Sequence, residues 1–171
     1  NPSLVGSEMC IRDRIKTIEA RASELVQLGS AVMAPFDSSG CDWAAGWILQ
    51  ALNRHDPSHV KTLIGPSSRG WLQAESTADI DYSEIQSLLL NEDFEEADRK
   101  TSAILRELAG PAAVRRGYVY FSEVPPMPGV DLVSLDRLWT VYSQGRFGFS
   151  TQARLLEGLD GNYVKLWPSL T

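Results

Sequence analysis

Residues 81–110 read DYSEIQSLLLNEDFEEADRKTSAILRELAG, and this stretch decides the fold. Asp81 and Glu84 have capping-box spacing ahead of Ile85, Leu88 and Leu89, and Asp93 and Glu96 repeat the spacing ahead of a longer apolar pattern. Phe94, Ala97, Thr101, Ile104, Leu105 and Leu108 then recur at steps of three and four, which places them on one face of a helix until Gly110-Pro111 stops it. The acids Glu92, Asp93, Glu95, Glu96 and Asp98 sit over the start of that helix, where its dipole favours negative charge. They read as a solvated first turn rather than acid-base machinery.

Upstream, Ile15, Ile18, Ala22 and Leu25 mark a first amphipathic helix ending near Gly29, and residues 34–40 (APFDSSG) read as a loop. Trp43, Trp47, Ile48, Ala51 and Leu52 would share one face of a second helix. Asp56-Pro57 opens a short third helix that closes near Gly65. The stretch PSSRG at 66–70 and the polar run 75–79 read as connectors, which puts a subdomain boundary between 78 and 79. Trp43, Trp47 and Trp71 fit core or contacts between subdomains. Downstream, YVYF at 118–121 suits a short extended piece, and PPMPG at 125–129 excludes regular structure. Leu135, Leu138, Trp139 and Tyr142 mark another helix. Glycines 145 and 148 break it, and Ser150 would cap a last helix carrying Leu155, Leu156 and Leu159 toward Gly161. One extended piece makes no sheet, so the expected class is all-α, with six or seven short helices and no internal repeat.

Composition narrows the function classes. The chain has 171 residues, with 16 Lys plus Arg against 22 Asp plus Glu, a formal charge of −6 that disfavours nucleic acid, whose affinity comes mostly from phosphate contacts. No run approaches the roughly 18 apolar residues of a membrane helix. Cys10 and Cys41 cannot build a disulfide framework or a zinc site. Residues 1–14 (NPSLVGSEMCIRDR) read as an adaptor-like or disordered tail and are set aside. His55 and His59 have the spacing of a metal pair, but a helix starts between them and no third ligand is adjacent, so they read as solvated. Asp79, Asp81 and Ser83 imitate a calcium loop, yet its sixth position is Glu84 and its twelfth Leu90. GxSxG, Walker, GxGxxG and HExxH motifs are all absent, and an independent hydrolase lacks a nucleophile and base.

The remaining feature is residues 135–152, LDRLWTVYSQGRFGFSTQ, where an aromatic helix runs into Gly-Arg-Phe-Gly-Phe. Two glycines let the backbone turn while Phe147 and Phe149 are presented beside Arg146. Trp139, at helical spacing, reads as core. Together with LLLNEDFEEADRKT at 88–101, Gly117-Tyr118, Asp131-Leu132 and NYVKLWP at 162–168, this stretch resembles the GUN4 family of tetrapyrrole-binding regulators of magnesium chelatase. Phe94 stands where that family usually has Trp. The resemblance covers about residues 81–171.

It implies a GUN4-like helical domain over 79–171 with a concave apolar face, preceded by a small helical subdomain over 15–78. It also implies a protoporphyrin IX or Mg-protoporphyrin IX ligand, no covalent cofactor, no protein metal ligand and no catalysis by the domain itself. The expected partner is the large porphyrin-binding subunit of magnesium chelatase, stimulated during chlorophyll biosynthesis. The protein would be a monomer in plastid stroma or cyanobacterial cytoplasm, partly associated with the thylakoid membrane. The family continues past the LWP segment, so 79–171 is expected to be C-terminally incomplete. A porphyrin is a flat apolar disc with two propionates, so its site needs greasy walls and rim cations. Tyr118, Met127, Phe147, Phe149, Leu156 and Trp167 are the candidate walls; Arg146, Arg154 and Lys165 are the candidate cations. At about 25 cal/mol per Å2, burying the macrocycle face would give several kcal/mol before ordering costs. The competing expectation is a helical interaction or sensor module that has lost pigment binding, with the same rings packed into a closed core.

Overall fold

The computed structural model describes Thr17 and residues 20–27, 29–64 and 70–159. Among the described residues eight α-helices follow one another with no strand: α1 (Ala22–Gln27), α2 (Trp43–His55), α3 (Pro57–Ile64), α4 (Ser83–Leu90), α5 (Phe94–Ala109), α6 (Pro111–Arg116), α7 (Gly129–Tyr142) and α8 (Phe149–Gly158). Two 3-10 turns, Gly29–Val32 and Phe121–Glu123, join them. The fold is all-α. Ile15, Ile18, Gly65 and Gly161 lie outside the described residues.

Several helix ends obey local chemistry. Asp93 Oδ1 accepts from the Glu96 amide at 3.3 Å and starts α5, as its spacing predicts. Asp56 does the same for α3, accepting from Ser58 and His59 at 3.1 Å each. The expected box at Asp81 and Glu84 does not close: Asp81 accepts from Ser83 at 2.9 Å, but Glu84 turns outward to pair with Lys100 on α5. Gly110-Pro111 ends one helix and starts another, because a proline in the first turn lacks only an N–H that no carbonyl needs. The YVYF stretch forms no strand, since Phe121 opens a 3-10 turn. PPMPG gives way to helix at Gly129. Ser150 does not cap α8; its amide donates at 2.9 Å to Asp136 Oδ1 on α7, and Gly148 takes the cap position.

The core lies where α2, α4 and α7 meet. Leu49, Leu52, Ile85, Leu89, Leu135, Leu138 and Tyr142 are fully buried in one apolar cluster. The buried face of α2 differs from the tryptophan face expected: Ala45, Leu49 and Leu52 point inward, while Trp43 is 37% exposed and Trp47 half-buried. The reason is Gly46. A Cβ there would overlap the Val141 carbonyl, so the helices approach at their smallest residues and the large rings are displaced to the flank. Trp71 packs against the core from outside.

Buried polar groups tie the parts of the chain together. Gln50 Nε2 donates to the carbonyls of Leu89 (2.9 Å) and Tyr142 (2.7 Å), joining α2 to α4 and α7. Gln86 exchanges two bonds with the Leu72 backbone, 2.7 and 3.0 Å, and accepts from the Tyr142 hydroxyl at 2.8 Å. Burial pushes the Tyr142 hydroxyl up, so it stays a donor. On the far end of α7, the fully buried Asp131 accepts from Ser76 Oγ, from Thr77 N and Oγ1 (3.0 and 2.9 Å) and from the Tyr82 hydroxyl (2.8 Å). Ser134 adds a bond to the Glu75 carbonyl at 2.7 Å. Arg137 reaches the carbonyls of Ser38, Gly40 and Gln73. The boundary expected between 78 and 79 therefore runs through a continuous set of hydrogen bonds and a shared core.

Candidate ligand-binding groove

Three rings from three elements form a cluster on the face where α5, α7 and α8 converge. Phe94 opens α5, Trp139 lies on α7 and Phe147 on the loop beyond it. Phe94 and Trp139 stack at 6.2 Å and 29°, and Phe147 sets its edge against both, at 5.8 and 6.0 Å. Such offset and edge-to-face pairs satisfy the ring quadrupoles. Trp139 is 9% exposed and fixed by its indole N–H, which donates to Thr101 Oγ1 at 2.9 Å, while that hydroxyl donates to the Ala97 carbonyl at 2.8 Å.

Beside the cluster lies an open groove of about 360 Å3, lined by Phe94, Glu95, Asp98, Thr101, Trp139, Phe147, Gly148, Phe149 and Gln152. Phe147 and Phe149 are 44% and 37% exposed, so the rings form a wall rather than closed core. The Arg146 guanidinium lies 5.9 Å from the Phe94 centroid and 5.6 Å from that of Phe147. Its hydrogen-bond partners are neutral, the Ser143 carbonyl at 3.0 Å and Gln144 Oε1 at 3.4 Å. Among the described residues it forms no ion pair, and its charge is available to an anion.

The loop is shaped by backbone demands. Gln144 and Gly145 both take left-handed conformations, φ 56° and 74°, which turn the chain off the end of α7 while the Gly145 amide donates back to Thr140 at 2.8 Å. Ser143, fully buried, accepts from the Phe147 amide at 2.9 Å through Oγ. At Gly148, φ 128°, a Cβ would crowd Asp136 and Thr140, so only glycine lets the chain pass α7 and enter α8.

The structure brings Phe147, Phe149 and Arg146 together. Leu156 follows Phe149 and Gln152 on the same helical face of α8 and is half-buried. Arg154 is exposed, donating to Thr151 at 3.3 Å. Tyr118 stands elsewhere, 51% exposed in an edge contact with Tyr120 beneath Arg116, and Met127 is buried in the turn before α7. Lys165 and Trp167 lie outside the described residues. Phe94, Asp98 and Thr101, at helical steps of four and three, share the α5 face that forms the other wall; the spacing was visible in the sequence, its destination was not.

A family model described as GUN4-like matches residues 75–171. The chain belongs to the GUN4-like family. A solved structure of GUN4 from Chlamydomonas reinhardtii is similar at a TM-score of 0.55 and 40% identity, covering 56% of this chain and 68% of that one. A Ycf53-like protein of Synechocystis sp. is 38% identical over 128 residues, 74% of this chain and 55% of that protein. The chloroplastic tetrapyrrole-binding protein of Arabidopsis thaliana is 42% identical over 74 residues, 43% of this chain and 28% of that one. The chain thus spans about half the length, or less, of these curated relatives.

Proposed function

We propose that this GUN4-like chain binds a tetrapyrrole, protoporphyrin IX or Mg-protoporphyrin IX, against the wall of Phe94, Trp139, Phe147 and Phe149. The observation that carries the reading is an open aromatic wall with a guanidinium above it whose partners are neutral. A flat macrocycle stacks on such rings, and a propionate is the anion that Arg146 suits best. Asp98 lines the same groove and repels carboxylates, while Glu95 beside it is paired with Arg99, so the propionates turn toward Arg146 and the apolar vinyl-bearing edge faces the other way. Arg154, Leu156, Lys165 and Trp167 are proposed as further contacts, whereas Tyr118, in its own cluster, and the buried Met127 stand outside the groove lining. The name of the Arabidopsis relative supports the ligand class.

In this reading the chain performs no catalysis and stimulates magnesium chelatase through the large porphyrin-binding subunit, as a monomer in plastid stroma or cyanobacterial cytoplasm. The chloroplastic and cyanobacterial relatives support those compartments. Any thylakoid association is proposed to be peripheral; no helix among the described residues is long and apolar enough to cross a membrane.

Titration with protoporphyrin IX, reading tryptophan quenching and the Soret band together, tests the proposal. Saturable quenching with a Soret shift is expected, weakened about tenfold in Phe147→Ala through lost ring burial. A folded, helical protein that gives neither signal would overturn it in favour of an interaction-only module. Initial rates of magnesium insertion by reconstituted chelatase, with and without the chain, test the regulatory part.

A further inference from the structure

Helix α2 precedes the family-matched region and contributes no residue to the groove lining, yet it grips the loop that presents Arg146 and Phe147. It does so at two successive positions. The Trp43 ring lies against Gly145 in the space a Cβ would fill, and Gln50 Oε1 accepts from Gln144 Nε2 at 2.7 Å. Gln50 is only 2% exposed, and its amide nitrogen is committed to the Leu89 and Tyr142 carbonyls, so its oxygen has one orientation to offer. Gln144 in turn donates to the Tyr142 carbonyl at 3.1 Å and accepts from Arg146 Nη2 at 3.4 Å. Both gripped residues are left-handed, and Gln144 has a Cβ that disfavours that conformation, so the grip opposes a real tendency to relax.

We propose that α2 is a positioning element for the groove: Trp43 and Gln50 fix residues 144–145, and through Gln144 they set Arg146 over the Phe94 and Phe147 rings. The contact is a relay of amides, Gln50 to Gln144 to Arg146, backed by the Trp43 plate. Its ligand arm rests on the tetrapyrrole reading; its loop arm does not. The consequence is that the chain ahead of the family-matched region adjusts anion recognition without touching the ligand.

Two variants separate positioning from general stability. Gln144→Gly keeps the left-handed backbone and removes the amide relay, and Trp43→Leu removes the plate from a partly exposed site; Trp43→Phe is the conservative control. Native-state hydrogen exchange is followed at the amides of Gly145, Arg146 and Phe147, which are bonded to Thr140 and Ser143, with Ile104 and Leu138 as core references. Protoporphyrin IX affinity is read from the Soret band, so the lost tryptophan does not enter. The expected result is exchange about tenfold faster at 145–147 with the core amides unchanged, the scale of one lost hydrogen bond, together with affinity weakened about three- to tenfold and restored by Trp43→Phe. Loop exchange that is unchanged, or that rises only in step with the core, overturns the proposal. So does a loosened loop with unaltered affinity. If the unmodified chain binds no protoporphyrin IX, the functional proposal fails while the exchange measurement still decides whether α2 holds the loop.

Discussion

Among the described residues two arginine-capped aromatic clusters stand out and are built in opposite ways. Around Arg146, the rings come from residues 94, 139 and 147, and the guanidinium has neutral partners. Around Arg116, everything comes from residues 116–123: Tyr118 and Tyr120 meet edge to face at 5.3 Å, the guanidinium lies 3.9 Å from the Tyr120 centroid, and Glu123 neutralises it at 2.6 Å. The local cluster closes on itself, with Glu123 also accepting from the Tyr120 amide at 2.7 Å. Among the described residues, similar residue chemistry thus gives a guanidinium paired with its own turn's carboxylate in one place, although its buried Nε has no partner, and in the other a guanidinium over a wall with no ion pair. The difference is whether a carboxylate among the described residues pairs with the guanidinium.

Substitutions can break that contrast, beginning with the most damaging. Trp139→Ala removes the ring shared by the core and the groove, and should cost about 3–5 kcal/mol in denaturant unfolding. Asp131→Asn comes next, at about 1–3 kcal/mol at neutral pH, because it weakens the bonds holding α7, and Trp139 with it, to residues 76–82. Burial alone would raise the Asp131 carboxyl, but the bonds from Ser76, Tyr82 and Thr77 outweigh it and bring it below the ordinary 3.8. Its stabilisation is therefore present above pH 3.8 and is lost as pH falls through the lower folded value. Acid titrations of stability should show that loss in the parent chain and its absence in Asp131→Asn. Arg146→Ala should leave thermal stability nearly unchanged while weakening protoporphyrin IX binding about tenfold, the scale of one charge-assisted contact. Tyr120→Ala, in the self-contained cluster, should change stability by less than about 1 kcal/mol and leave pigment affinity alone. Equal affinity losses in the last two would erase the distinction.

What could be read in the sequence was mostly local. The Asp93 cap, the α5 period and the glycine-flanked Phe147 and Phe149 depend on near neighbours, and the structure keeps them. What failed depended on distant ones. The tryptophans of α2 could be read as core or as contacts between subdomains, and it took the Gly46 approach to Val141 to set them at the flank, where Trp43 packs on Gly145. Glu84 was expected to fold back on its own helix and instead meets Lys100 from the next. Phe94 reads as part of the α5 apolar face and as a departure from the family pattern, and Trp139 as core; their meeting with Phe147 is tertiary and has no signature at any fixed spacing.

The Asp131 network bears on how the family-like domain can be cut out of the chain. Residues 75–79 have the composition of a spacer, but Ser76 and Thr77 are two of the three side chains that satisfy a fully buried carboxylate. Excised at residue 79, the domain would keep only Tyr82 against that charge and leave the rest of it stranded in the interior. Excised at residue 75, where the family match begins, it carries its own counter-groups along. The spacer is the lock by which the domain stays shut.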